Sequence, residues 1–535
     1  MHSQEDNLTP FWALLAILAL LAAFAFQGSR GLLGRTEGRY AEVGREMLET
    51  GNCLEPTLDY LPHWTKPPMT YWAIAAGMKL LGVNEWGARL ANAVAFLLTV
   101  FIVASMGTTL WGKKAGLVAG LVYASSPFPV IGAFALSTDT LLTLWEALAV
   151  LCCLKARASV SRDIQCAWVS AMWLAFGLGF LTKGPPALLP LLPILIWHFQ
   201  SGRPAPMVNL TGSLLFVLAG LSWYGAVIAR HPELAGYFLG QEVADRMVSD
   251  AFHRNPQWYK PFIIYLPLLL FGGGPWAYYE FRAIARRNLH RPRSLWTEMR
   301  KGGASSFLLL WAFVPLSVFF VVRSRLPLYV LPLWAPVALG IARSITRDVE
   351  ASRPSGRGPT MLRISTLAAL TCAALVIGKG ASTFPSGRSD MRALYALCRS
   401  SARDENTRVV ALANGELSGL QFYLKGRLRH CAAFDPKRGM EADVADLIQE
   451  MRSQTPNQSY VLIVRRSKGK ALAGLLNQEG IGFRCTEGPH WWAFAVPDES
   501  GHRPTLPSSR QEAPSKDNLH EPSEKTPGRM TAERS

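Results

Sequence analysis

For its first 380 residues the chain alternates between long apolar runs and short polar connections, then changes to shorter, mixed segments. Apolar runs of roughly 17–25 residues have the length that crosses a bilayer as a helix. Eleven are read near residues 11–27, 87–111, 115–134, 138–154, 165–182, 186–199, 208–228, 261–278, 304–322, 326–343 and 364–380. Neighbouring short spans merge or split easily, so the pattern predicts an all-α polytopic body of about 11–13 transmembrane helices over residues 1–380. The first run lacks a basic start and a clear small-residue cleavage site, and is expected to remain as a helix. Over residues 381–500 the period shortens. TRVVALA, YVLIVRR and WWAFAVP read as strands, and ADVADLIQEMRS and GKALAGLLNQEG as helices, which predicts a small α/β soluble domain. Residues 501–535, rich in Ser, Pro, Glu, Lys and Arg, are expected to be disordered.

One connection, residues 28–83, breaks the pattern. Its stretch 36–72 carries six acidic residues (Glu37, Glu42, Glu46, Glu49, Glu55, Asp59) against Arg39, Arg45 and Lys66. Within it RYAEVGREMLETG fits a short amphipathic helix, with Tyr40, Val43 and Met47 on one face and Gly51 closing it. Such a helix is expected to lie along the membrane interface. Pro62, Pro67 and Pro68 then force an extended or turned connection. A loop that merely joins two spans needs none of this. A site that handles a charged, hydroxylated substrate at the membrane surface needs most of it.

Composition narrows the class. Of 535 residues half are apolar and 17% charged, with 17 Trp, and the mean hydropathy is +0.15. These values fit a multi-pass membrane protein with soluble parts. The formal charge of +17 is concentrated in alternate loops, around Lys113, Lys155, Arg203, residues 282–301 and residues 343–363. Residues 230–260, in a loop of the other parity, hold four basic and four acidic side chains. The excess is therefore a topology signal and does not indicate nucleic-acid binding. It puts the basic loops in the cytoplasm, and the 28–83 loop and everything after about residue 380 outside. The first ten residues, acidic and without Lys or Arg, do not add to that orientation. Cys152 and Cys153 read as mid-helix packing residues, and Cys398, Cys431 and Cys485 leave room for one disulfide. No metal-ligand spacing is present.

EGRYAEVGREMLETG followed by WTKPPMTYW resembles the first outer loop of the bacterial aminoarabinose lipid A transferases. These are polyprenyl-phosphate-dependent C-type glycosyltransferases related to the protein O-mannosyltransferases. STDTLLTLWEAL, GFLTKGPPALL, QEVADRM with HRNPQWYKPF, GGGPW and SRLPLYVLPLWAP follow in the same order, over most of residues 30–340. The resemblance implies inverting transfer of a sugar from a lipid-linked phosphate to an acceptor at the outer membrane face. Cations must then hold a phosphate whose charge grows as the sugar–oxygen bond breaks. A carboxylate must orient or deprotonate the acceptor, or stabilise the sugar cation.

On that basis Lys66, Lys183, Arg246 and Arg325 are the candidate donor-phosphate ligands, although the resemblance more often has Lys where this chain has Arg325. The plain alternatives are a solvated loop lysine for Lys66 and a snorkelling one for Lys183. Glu37 and Asp139 are the candidate catalytic carboxylates; the usual Asp-Glu pair is Thr36–Glu37 here, so Glu37 is expected to take the acidic role. Ser137 or Asp139 alternatively serves as a helix cap. Arg39, Tyr40, Tyr329 and His253 are candidate substrate-binding residues. A histidine near His253 can meet a metal in the resembled family, but the partner carboxylate is Thr65 here, and no metal or other cofactor is expected.

The expected function is an inner-membrane glycosyltransferase. Its partners are a polyprenyl-phosphate sugar donor and, as acceptor, lipid A, another envelope glycan or a protein. One rival is a lipid-linked sugar flippase or transporter, which calls for broken, charged mid-membrane helices and pseudo-symmetric halves, neither legible in the chain. The other is a non-catalytic envelope scaffold, which Thr36 makes credible.

Overall fold

The computed structural model describes residues 7–34, 36–202, 206–238, 240, 255–286, 291–352, 360–382, 387, 389–402, 407–412, 417–430, 440–453 and 458–497. The expectation for the tail 501–535 lies outside these residues.

The body begins with α1 (Thr9–Phe24), α2 (Glu37–Thr50), α3 (Met69–Leu81), α4 (Glu85–Trp111), α5 (Lys113–Ala124), α6 (Pro127–Phe134), α7 (Thr138–Ala158) and α8 (Arg162–Lys183). Its largest core joins α1, α4, α5 and α7 to the helices over residues 304–321 and 334–352. Cys152 and Cys153 are buried in it. Small residues let α4 and α5 approach closely, since a Cβ on Gly107 would stand 2.9 Å from the Gly116 Cα. The starts are capped from the sequence: Asn84 accepts from the Gly87 amide and Ser137 from the Asp139 amide.

Among the described residues six helices are long and apolar enough to cross a membrane, or up to eight if two bent pairs each count as one span. The eleven runs read along the chain exceed this for local reasons. α1 is apolar but has 16 residues, the helix Leu191–Gln200 has 10, and α7 carries Asp139, Glu146, Lys155 and Arg157. The bent pairs correct a further expectation, that broken spans are absent. α5 and α6 meet at 56° where Ser125, Ser126 and Pro127 interrupt the helix, and Lys260–Phe271 meets Gly274–Arg286 at 87° after Gly272 and Gly273.

The C-terminal part is a five-stranded sheet of β3 (Arg408–Ala411), β4 (Leu428–His430), β5 (Tyr460–Arg465), β6 (Arg484–Glu487) and β7 (Trp491–Val496); β1 (Thr57–Leu58) and β2 (Leu61–Pro62) form a small hairpin in the outer loop. The strand order is β4-β3-β5-β7-β6, with β3 parallel to β4 and β5, and β7 antiparallel to β5 and β6. Val461 and Ile463 of β5 pack towards Met391–Ser401 and Ser418–Leu424, while Leu462 and Val464 pack towards Met440–Ser453 and Arg466–Gln478. Helices cover both faces, so the central strand reads as an unbroken apolar run. Cys398 lies in the first layer and Cys485 against the second, and both are free thiols. The disulfide allowed for is not formed between them, because the sheet separates them; Cys431 lies outside the described residues.

This unit docks on the segment over residues 28–83. Leu33 and Asp390 form an antiparallel bridge. The Tyr423 hydroxyl accepts from the Leu32 amide (2.9 Å) and donates to Glu85 (2.6 Å), which also accepts from Arg392 Nε (2.6 Å). Phe422 joins Tyr40, Val43, Met47 and Tyr71 in one apolar cluster. α2 ends at Gly51 with φ 71°, a left-handed position that suits glycine, and its apolar face is the one read from sequence. α3 packs on one side of α2 and the helix Ser418–Leu424 on the other.

Candidate functional site

Helix ends and the loop after β2 enclose an apolar cavity of about 530 Å³ with two lysines in its wall. Lys66 reaches it from the loop after β2, flanked by Trp64, Thr65 and Pro67. Lys183 reaches it from the last residue of α8, where Gly184 (φ 76°) turns the chain into Pro185 and Pro186. Tyr224, Ile228 and Phe238 form one side and Val318, Phe319 and Tyr329 another. Trp223 donates to the Leu54 carbonyl (2.7 Å), and Trp64 lies 5.6 Å from the ring of His231. Glu55 accepts from Arg230 at 3.1 Å. These contacts seat the Lys66 loop on the helix Ser222–Arg230.

The Lys183 side chain, 8% exposed, is ion-paired to Asp139, and its Nζ stands 4.1 Å from the centre of the Tyr329 ring. Because Ser137 caps α7, the Asp139 carboxylate faces Lys183 and not its own helix end. The Tyr40 hydroxyl is within electrostatic reach of Arg39, Asp139, Lys183 and Tyr329, and burial, with Asp139 adding, pushes it above the usual phenol range. The Arg39 guanidinium lies 5.5 Å from the Tyr40 ring centre and acts on His63. Four residues read from sequence therefore converge on one point: Tyr40, Asp139, Lys183 and Tyr329. Lys66, buried, donates to the Thr65 carbonyl (2.7 Å) and shares the cavity wall with two of them.

Two expected residues are placed elsewhere. Glu37 does not line the cavity. It accepts from Arg30 (2.8 and 3.0 Å), Arg89 (3.0 Å), the Leu33 amide (3.0 Å) and the Leu136 amide (2.9 Å). Burial pushes its carboxyl up, but Arg89 and Arg30 outweigh this and hold it below the usual range. A carboxylate serving five donors has no lone pair left for a sugar, so it acts as a junction between α2, α4 and α6. Arg325 likewise turns to backbone: it donates to the carbonyls of Asn255 (3.1 Å), Gln257 (2.9 Å) and Phe320 (3.0 Å). Arg246 and His253 lie outside the described residues.

Sequence reasoning passed over two groups. Glu146, buried two turns below Asp139 on α7, is within electrostatic reach of Asp139 and Lys183; its i+7 spacing from Asp139 is the signal that could have found it. His63 Nε2 lies 2.7 Å from the Thr65 hydroxyl, and burial, Arg39 and Lys66 push the imidazole down to about 4. Among the described residues no three His, Cys, Asp or Glu side chains are grouped to hold a metal. Thr65 gives His63 a hydroxyl where a metal site needs a carboxylate, so these residues do not fit one.

Residues 65–223 match the dolichyl-phosphate-mannose-protein mannosyltransferase family. The undecaprenyl phosphate-alpha-4-amino-4-deoxy-L-arabinose arabinosyl transferase of Pectobacterium carotovorum is 34% identical over 349 residues, 64% of this chain and 60% of that protein. That of Pseudomonas paraeruginosa is 31% identical over 371 residues, 68% and 65%. The matched part thus spans about three-fifths of the length of these relatives. The crystal structure of ArnT from Cupriavidus metallidurans bound to undecaprenyl phosphate superposes with a TM-score of 0.72 at 19% identity, over 91% of this chain and 98% of that one. The apo oligosaccharyltransferase of Archaeoglobus fulgidus gives 0.54 at 12%, over 93% and 76%. At these identities the superpositions show a shared fold. With its spans and these relatives, the chain is a multi-pass inner-membrane protein that resembles the polyprenyl-phosphate-dependent glycosyltransferases of the aminoarabinose-transferase type.

Proposed function

We propose that the chain transfers a sugar from a polyprenyl-phosphate donor to an acceptor at the outer face of the membrane. The observation that carries this reading is the cavity: an apolar volume of about 530 Å³ with Lys66 and Lys183 in its wall. Such a volume suits an isoprenoid chain with its phosphate against the two ammonium groups. Lys183 then exchanges its Asp139 partner for the phosphate, which leaves the Asp139 carboxylate for the acceptor. As the sugar C1–O bond breaks, its electron pair passes to the phosphate, where the lysines offset the growing charge. The acceptor oxygen attacks C1 from the opposite side and gives its proton to Asp139, with inversion. Tyr40, Arg39 and Tyr329 are proposed to position the sugar. Lipid A, another envelope glycan or a protein would serve as acceptor.

The division proposed is a membrane body over 1–380, an α/β domain over 381–500 and a tail over 501–535. The domain is proposed to lie on the periplasmic side. Its contacts through Arg392 and Tyr423 reach Glu85 and the Leu32 amide, on the side of the body that carries α2. The basic residues at 282–301 and 343–363 follow the opposite parity. Reporter fusions at residue 497 check this: a reporter active only in the cytoplasm should be silent there.

Membranes supplied with radiolabelled undecaprenyl-phosphate sugar test the reaction. Label should move to an acceptor, and Lys66→Ala should lose about 2–4 kcal/mol of transition-state stabilisation, roughly 30- to 1,000-fold in turnover, while still inserting. Flipping of the donor without transfer would point to a transporter, and neither activity to a scaffold.

A further inference from the structure

A second cavity, of about 240 Å³, lies between the helices Lys260–Phe271, Ala277–Arg286, Ala304–Val321 and Trp334–Ser352. Leucine, isoleucine, valine and phenylalanine side chains make most of its wall, and Glu280 and Arg343 are the two ionisable side chains in it. They face the same volume, yet no ion pair joins them. Glu280 Oε2 and Arg343 Nε are both buried without a hydrogen-bond partner among the described residues. Arg343 lies 5.5 Å from the centre of the Trp111 ring, but a buried polar atom left without a hydrogen bond in an apolar cavity is costly and calls for a partner. At one edge Leu266 and Phe313, 41% and 42% exposed, open the cavity towards the surrounding lipid. Asp348 already pairs with Arg282 and Arg286, so the neighbouring cations are engaged and do not serve Glu280.

We propose that this cavity binds a zwitterionic phospholipid bearing a primary ammonium group, with the ammonium donating to Glu280, the phosphate accepting from Arg343, and part of an acyl chain lying against Leu266, Leu270, Phe313 and Leu316. The recognition is specific in its chemistry. A quaternary ammonium has no N–H to donate, and an anionic glycerol headgroup has no cation for a carboxylate. The site is separate from the lysine-walled cavity, which shares none of its lining residues.

The test uses the full chain purified in detergent and equilibrated with equal amounts of dioleoyl phosphatidylethanolamine, phosphatidylcholine and phosphatidylglycerol, the retained lipid being read by native mass spectrometry. The wild-type protein should retain phosphatidylethanolamine about ten-fold above either competitor. Glu280→Gln should remove the preference over phosphatidylcholine, and Arg343→Gln should lower retention of all three lipids. Gly340 lines the cavity with nothing within 4 Å of where its Cβ would stand, so Gly340→Leu should fill the space without disturbing the fold and expel the lipid. Retention in the input ratio by the wild-type protein would overturn the proposal. So would a Glu280→Gln protein with undiminished preference, or a Gly340→Leu protein with undiminished retention.

Discussion

Replacing Glu37 by Gln removes one charge and leaves the shape nearly unchanged, and the structure fixes what that should do. Its two oxygens receive five hydrogen bonds, three of them from Arg30 and Arg89. The Arg89 side chain is 0% exposed, and its other donations go to the carbonyls of Gln27, Arg30 and Gly31. After the substitution Arg89 keeps those dipoles and loses the carboxylate it pairs with, while the new amide turns an N–H towards donors that need an acceptor. Breaking a buried pair from one side costs about 3–5 kcal/mol. That is a large share of the roughly 5–15 kcal/mol that holds a typical domain. The assay is the apparent melting temperature of the detergent-purified protein together with its yield in membranes. Glu37→Gln should lower both sharply, and the remaining folded fraction should keep most of its turnover per molecule. A variant as stable as the wild type but inactive would refute the reasoning and return Glu37 to the chemistry.

The Asp139–Lys183 pair is buried on both sides, so Asp139→Asn and Lys183→Met should each destabilise, and the double variant should recover about 3 kcal/mol of the summed loss; simple additivity in melting experiments would exclude a coupled pair. His63 is held down to about 4 against an ordinary 6.5. Its neutral form is therefore favoured by folding, and the stability is complete above about pH 6.5 and falls as the pH drops towards 4, by at most about 3 kcal/mol. Melting curves at pH 7 and 4.5 should show this slope in the wild type and a shallower one in His63→Gln; equal slopes would remove His63 as the cause. A Cβ on Gly38 would stand 2.3 Å from the Gly419 amide nitrogen, backbone that has no room to yield. Gly38→Ala should cost about 1–3 kcal/mol and speed protease release of the C-terminal sheet, and an unchanged cleavage rate would show that this contact does not hold the sheet in place.

The apolar spacing made the helical body legible, because burial in lipid and burial in protein demand the same side chains. The same coincidence hides which runs cross. α1 and Leu191–Gln200 are as apolar as the longer spans, but their lengths depend on where the chain turns. In the C-terminal sheet, β3, β5 and β7 were legible because two-sided burial gives continuous apolar strands, whereas β4 (LRH) and β6 (RCTE) sit at the edges and carry little signal. Lys66, Lys183 and Asp139 were legible from their motifs. The role of Glu37 was not, since its partners Arg89 and Leu136 come from α4 and from just after α6, and no local pattern announces a junction assembled from distant segments.

Thr36 acquires a different meaning beside that junction. It sits exposed at the start of α2 and caps nothing with its side chain, while its neighbour Glu37 ties three segments together. A residue in the Thr36 position is thus free to vary without disturbing the fold, and one in the Glu37 position is not. The acidic requirement of the proposed transfer then falls on a carboxylate that already touches a lysine of the cavity wall. Among the described residues Asp139 meets that condition directly and Glu146 stands behind it. Both belong to α7, a helix whose N-terminus is fixed by the Ser137 cap and whose flank is packed against α4 and α8. A carboxylate mounted there is held more rigidly than one at the exposed start of α2. In the proposed transfer, Asp139 is therefore the better-placed group to receive a proton at a defined point once Lys183 turns to the phosphate.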